Sequence, residues 1–406
     1  MKKTIRNKEF LLFVLAVCLA TFTMEMINGR FWLTDFQVYY SAAQNFFHGQ
    51  PVYQVCFDMG SGYYKYSPVI LFFFLPLCFL SYKIAAIIYF FILGLVYWYT
   101  FALILKILKR YFFTMAIKHE GLLVSLSFIF ILIYFVREMH LGNVNIIMLV
   151  LCCQALWYYL ERKPALGSLF FGLVLLTKPF YLLLLLPLLW RKNWKAIAWS
   201  GLVLVCGGLI PFLYTGISGG FALYSGWFRT ILSHGQAFPG MGSLDYILRQ
   251  NVFPALPGYA EYIIMLVACG LAVWFILDNL KSERDSKVGN IYPEGNFIFE
   301  WFLLIALLPV LFKNDWVQLQ LSAPLITFMI FYISGTKKYW LIPVMIILLF
   351  FFSANSDDLL GKELSGKLVK MGLMGLSNFL LIMVSLSMFL DFRKKNSRKF
   401  QKQTPV

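Results

Sequence analysis

Asp35 is the only acid in the aromatic-rich stretch FWLTDFQVYYSAAQNFFHGQPVYQ (31–54), which directly follows an apolar run. A lone carboxylate in such a place can act as a general base, taking the proton from a hydroxyl. It can equally cap a helix by accepting free backbone N–H groups. Phe36, Tyr39, Tyr40, Ala43, Phe46 and Phe47 follow at helical spacing, and Gly49 supplies a stop. This pattern predicts an amphipathic helix in the plane of a membrane, with Asp35 at its N-cap. The two roles are compatible, because a capped carboxylate stays ionised and still accepts a proton. Glu25 and Asp58 are the rival acids.

Four further segments carry polar residues that membrane anchoring does not require. REMHLGNVN (137–145) holds Arg137, Glu138, His140, Asn143 and Asn145 between two apolar runs. Either it is a solvated turn in which Arg137 pairs with Glu138, or it binds an anion through Arg or His and sugar hydroxyls through the Asn side chains. Lys178 precedes Pro179 and either snorkels to the surface or offers a fixed cation to a phosphate. The stretch 215–258 is rich in Gly and aromatics. It reads as a long loop, either a connector or the cover of a site, with His234, Asp245 and Arg249 as candidate ligands. Lys313-Asn314-Asp315-Trp316 forms a fourth polar segment, and Trp316 suits a membrane interface.

The elements that must position these groups are membrane helices. The chain is 60% hydrophobic, 19% aromatic and 13% charged over 406 residues, with a mean hydropathy of +0.74. Apolar segments recur along the whole length, many near the ~20 residues that cross a hydrocarbon core. The fold class is all-α and polytopic, with twelve or thirteen transmembrane or re-entrant helices: 9–28, 84–105, 121–137, 143–160, 165–177, 180–190, 196–214, 259–279, 297–312, 317–334, 339–353 and 368–390, plus the short piece 67–81 interrupted by Pro76. The N-terminal run reads as an uncleaved first span, because no small-residue cleavage site follows it.

Charge sets the expected topology. Of the 35 Lys and Arg, 24 fall in short clusters between apolar runs, which the positive-inside rule places in the cytoplasm. Basic groups on both sides of 165–190, with Lys178-Pro179 in the middle, predict a hairpin whose apex lies outside. The five polar segments then collect on the outer face. The division expected is a catalytic module over 1–258, with outer loops at 29–66 and 215–258, then a membrane module over 259–392 and a basic tail over 393–406. The net charge of +16 is explained by orientation signals, and no nucleic-acid partner is expected. Only Cys56 of the seven Cys lies outside an apolar segment, so no disulfide framework is expected. No phosphate-binding glycine loop, HExxH pair or Asp-x-Asp pair occurs; neither a nucleotide-driven machine nor a metal cofactor is indicated.

The motifs also carry a resemblance. Asp35, Tyr39 and Ala42 after the first span, then Gly49, Tyr53, Tyr66-Ser67-Pro68, Leu141-Gly142-Asn143-Val144-Asn145, Gly172…Lys178-Pro179 and Ser243-Leu244…Arg249 resemble the GT-C class of glycosyltransferases that use polyprenyl-phosphate sugars. Within that class they are most similar to the bacterial mannosyltransferase-like group. The resemblance covers roughly 9–250 and implies a catalytic Asp in the first outer loop, matched by Asp35, and a lipid-phosphate sugar donor in place of a cofactor. Arg137, Glu138, His140, Asn143, Asn145, Lys178, His234, Arg249 and Tyr66 are then the candidate substrate-binding residues. The acceptor would be a hydroxyl of an envelope glycan or glycolipid outside the cell membrane. Two departures stand out: Asn143 replaces a common Gln, and Trp316-Val317-Gln318 lacks the His that usually follows the Trp. The competing reading is a multi-pass transporter or flippase for a lipid-linked or polyanionic substrate, although no internal repeat supports it.

Overall fold

The structure is a computed structural model that describes residues 8–57, 62–113, 119–234, 240, 242–253, 259–285, 293–312, 315–353 and 356–401. Asp58, Lys313 and Asn314 lie outside the described residues. In chain order the helices are α1 (Lys8–Ile27), α2 (Thr34–Phe47), α3 (Leu71–Cys78), α4 (Tyr82–Tyr111), α5 (Glu120–Phe130), α6 (Leu132–Leu141), α7 (Asn145–Leu160), α8 (Pro164–Thr177), α9 (Leu186–Trp190), α10 (Trp194–His234), α11 (Leu244–Asn251), α12 (Ala260–Asp285), α13 (Pro293–Leu311), α14 (Ala323–Thr336), α15 (Ile342–Phe352), α16 (Asp357–Leu360), α17 (Lys362–Lys370) and α18 (Leu373–Gln401). Short 3₁₀ turns precede α3, α9, α14 and α15. Among the described residues the only extended pairing is an isolated bridge between Cys56 and Tyr63.

The all-helical membrane architecture is as expected. Among the described residues six helical segments are long and apolar enough to cross a bilayer alone: α1, α4, α10, α13, the Trp316–Thr336 stretch and α18. A seventh arises if α5 and α6, broken at Ile131, count as one. The remaining expected spans fall on shorter apolar helices such as α7 and α8. At 1.5 Å per residue, a 14- to 16-residue helix covers only about 21–24 Å, less than the ~30 Å hydrocarbon core.

The chain divides into two compact, interleaved units. The first comprises Met1–Leu103, Tyr134–Leu183 and Asn193–Phe238; the second comprises Ile104–Ile133, Leu184–Lys192 and Pro239–Val406. In the first unit α2 packs on α3, and α8 packs on both α7 and α10. Phe36 of α2 is fully buried and stacks on Tyr89 with ring centroids 4.4 Å apart. In the second unit α18 packs on α13, α14 and α15, with Phe299 stacked on Phe389 at 4.1 Å.

Two local expectations need correction. Asp35 is not the N-cap of α2: Leu33 occupies that position with φ 44°, and Asp35 sits inside the first turn. The stretch 215–258 is largely helical, because α10 runs on to His234 through a single break at Gly216, and α11 follows. Asp315 of the fourth polar segment has a local structural role, since its carboxylate accepts the Val317 N–H at 3.2 Å and caps the turn after it.

Candidate active site

The site in the first unit is built on two chain breaks, the α6–α7 turn and the end of α8. α6 ends at Leu141, where Gly142 takes φ +68° and its N–H closes on the Glu138 carbonyl at 2.8 Å. A Cβ at Gly142 would lie 2.8 Å from Cβ of Phe36 and within about 3 Å of Leu33. The α6–α7 turn is therefore wedged against the start of α2, which brings Asn143 to Asp35. Asn143 Nδ2 donates to Asp35 Oδ2 at 2.5 Å, while Asn143 Oδ1 accepts the Val144 N–H at 2.7 Å. With its oxygen held by the backbone, the amide presents its nitrogen to the carboxylate.

The next link runs through α7. Glu138 is fully buried and accepts the Ile146 N–H and Asn145 Nδ2, each at 3.0 Å. This excludes the solvated Arg137–Glu138 turn; Arg137 itself is exposed. Asn145 Oδ1 then accepts Lys178 Nζ at 2.5 Å. Lys178 is in turn held by the break that Pro179 imposes: α8 ends at Thr177, and Lys178 is extended and only 8% exposed. It does not snorkel. Its ammonium lies 5.9 Å from the centre of the Tyr66 ring, and Tyr66 and Tyr39 share a 3.1 Å hydroxyl contact. Tyr39 is one helical turn beyond Asp35, so the α6–α7 turn and the first turns of α2 gather Asp35, Asn143, Asn145, Lys178, Tyr66 and Tyr39 in one unit.

Burial, reinforced by the negative charge of Asp35, raises the Tyr39 and Tyr66 hydroxyls well above the ordinary phenol range, although their mutual hydrogen bond partly offsets this for Tyr66. Both are neutral donors near pH 7. Tyr53 and Trp227 fix this part of the site, bonding the Tyr66 and Lys65 carbonyls at 2.8 and 2.9 Å. At the end of α1, Glu25 Oε2 meets His140 Nδ1 at 2.8 Å. In the sequence these two are separate candidates. Their pairing spans 115 residues, and no local pattern marks it.

A carboxylate oriented by an amide, a buried ammonium and neutral phenols can take a proton from a hydroxyl and hold an anion. The sequence profile of glycosyltransferase family 87 matches residues 64–292, more than half of the chain. The chain belongs to glycosyltransferase family 87. The GT-C-type resemblance therefore holds, and membership of a glycosyltransferase family favours that reading over the transporter. An α-(1→3)-arabinofuranosyltransferase of Corynebacterium glutamicum is 26% identical over 259 residues, covering 63% of this chain. The aligned part is 56% of that relative, so the chain spans little more than half its length. No solved structure matches.

The matched family 87 region contains Tyr66, Arg137 through Asn145, Lys178, His234 and Arg249, whereas Asp35 precedes it. Arg249 belongs to the second unit, where its Nε bonds both oxygens of Asp245 at 2.8 and 2.9 Å. His234 closes α10, and its side chain lies outside the described atoms. Gln318 is buried in the 3₁₀ turn that begins at Trp316, and its Oε1 has no partner among the described residues. Among the described residues no group of three or more His, Cys, Asp or Glu gathers as a metal site requires.

Proposed function

We propose that this family 87 enzyme transfers a sugar from a polyprenyl phosphate to an acceptor hydroxyl of an envelope glycan or glycolipid, on the outer side of the cell membrane. Asp35 is the general base. It takes the hydroxyl proton as the acceptor oxygen bonds to the anomeric carbon, and the bond from that carbon to the lipid phosphate oxygen breaks on the opposite face. The product is inverted, and polyprenyl phosphate leaves as an anion. Lys178 meets the developing phosphate charge, with exposed Arg137 as a second cation. Asn143 orients the base, and Asn145 orients Lys178.

The observation that carries this reading is that one turn, Asn143 to Asn145, bonds Asp35 through its first residue and Lys178 through its last. It joins the base and the cation in one unit, as an in-line displacement at the anomeric carbon with a lipid phosphate leaving group requires. The donor sugar is a pentose or hexose. The named activity of the Corynebacterium relative favours arabinofuranose over mannose. A lipid-linked donor suits an outer site, because it supplies the activated sugar without a nucleotide.

Purified protein in lipid should release polyprenyl phosphate from a lipid-linked arabinose or mannose only when acceptor is present. Asp35→Asn should lower that turnover ~10²–10⁴-fold with an unchanged melting temperature. Wild-type turnover in the variant removes Asp35 as the base.

A further inference from the structure

A cavity of about 460 Å³ opens beside the first turn of α2, lined by Phe31, Trp32, Thr34, Gln37, Phe57 and Tyr82. Its walls are fixed. Phe31 packs edge-on to Phe22 at 5.2 Å, the Tyr82 hydroxyl bonds the Trp32 carbonyl, and the Phe57 N–H bonds the Gly62 carbonyl at 2.9 Å. Trp32 lines the cavity and keeps 48% of its surface exposed. Thr34 and Gln37 lie one helical turn apart, and Asp35 falls between them in sequence. Neither side chain has a protein hydrogen-bond partner among the described residues.

We infer that this cavity is the acceptor subsite and takes a sugar ring of the glycan that is extended. A sugar has an apolar C–H face that lies on aromatic rings and a rim of hydroxyls that pair with amides and hydroxyls. Trp32, Phe57 and Tyr82 supply the first chemistry; Gln37 and Thr34 supply the second. An isoprenoid tail matches only the rings and leaves the Gln37 carboxamide without a partner. The volume falls within the ~300–1,000 Å³ range of ligand pockets. The subsite and the base share the first turn of α2, so a ring seated against Thr34 brings its hydroxyl to the Asp35 end of that helix. The assignment rests on the glycosyl transfer proposed above, but it can be read by binding alone.

Cys56, exposed at the same cavity, is a native reporter. The full chain in lipid nanodiscs would be treated with a charged maleimide, and modification of Cys56 followed by peptide mass spectrometry. Probes would be α-linked arabinofuranose di- to tetrasaccharides and their mannopyranose counterparts. At least one series should slow Cys56 modification saturably. Trp32→Ala and Gln37→Ala should each raise the half-protecting concentration about tenfold or more, the scale of one lost stacking or hydrogen-bond contact. Gln37 lies on a half-exposed helix face, so its variant keeps the test valid if Trp32→Ala fails to fold. Asp35→Asn should retain protection although it does not turn over. A family 87 donor reaction that fails while protection persists would then sink the proposed reaction but not the sugar site. Protection that survives both cavity substitutions, equal protection by sugar-free polyprenyl phosphate, or no protection by any of these sugars overturns the assignment.

Discussion

Asn143 makes one contact with the backbone and one with the base, so its substitutions separate orientation from charge. Asn143→Ala removes the Nδ2 donor from Asp35 without adding charge, and turnover should fall about 10- to 100-fold, the cost of a lost charge-assisted hydrogen bond of ~1.5–3 kcal/mol. Asn143→Asp should be worse near neutral pH. Two carboxylates at hydrogen-bond distance cannot both ionise, so one proton is retained and the base arrives occupied. The pKa of the pair is raised, and the ionised base appears only as pH increases. The Asp variant should therefore recover activity at alkaline pH, whereas the Ala variant should not. Initial rates across a pH series at saturating donor check this, and parallel profiles would remove Asn143 as the residue that orients the base. Lys178 offers a second residue-level test. Lys178→Met leaves Asn145 Oδ1 without its Lys178 donor and removes the Lys178 charge that acts on the buried Glu138. A stability loss of about 2–4 kcal/mol should accompany loss of turnover, read by thermal unfolding in detergent. Lys178→Arg should rescue part of the stability.

At the scale of elements, the α6–α7 turn decides where the base sits. Gly142 and Gly49 both hold positive φ, but of the two only Gly142 has neighbours within 4 Å of where a Cβ would stand. Gly49→Ala should cost about 1 kcal/mol from backbone strain alone. Gly142→Ala adds overlap with Phe36 and Leu33, a further ~1–3 kcal/mol of overpacking, and pushes Asn143 from Asp35. Melting temperatures of the two variants, with turnover of each, test the difference: equal losses would show that the wedge against α2 does not matter. The helix boundaries here were legible because their signals are local. Gly49 stops α2, and Pro179 stops α8 where the sequence predicts. The cap of α2 was not legible, because Leu33 is an apolar residue held at φ 44° by tertiary packing, with none of the side-chain chemistry that marks a cap. The extension of α10 was obscured in another way. Its glycines read as a loop, but Phe221, Phe228, Ile231 and Leu232 repeat at helical spacing, and the break is confined to Gly216.

At the scale of the molecule, composition alone indicated the membrane class, and the motifs pointed to the GT-C class, because both depend on residue type more than on long-range pairing. The interleaving of the units was not legible for the opposite reason. It is made by contacts between distant segments, such as those of Arg191 in the second unit. Arg191 forks onto the fully buried Glu300 at 2.6 and 3.1 Å, Asn279 donates to the same carboxylate at 2.8 Å, and Arg393 donates to Asn279 at 2.6 Å. In sequence Arg191 and Arg393 belong to basic clusters that read only as orientation signals. In the fold they hold three helices and a turn together around one carboxylate. Removing one partner of a buried pair strands the other charge, which costs ~3–5 kcal/mol, and Arg191→Met belongs at the low end because that side chain keeps 18% exposure. Glu300→Gln should cost less than Glu300→Ala, since the amide oxygen can still accept from Asn279. These losses should appear in thermal unfolding and in yield from membranes, while the Michaelis constants of the protein that does fold stay at wild-type values. A raised donor constant in folded Arg191→Met would mean that the arginine serves substrate binding and not assembly of the second unit.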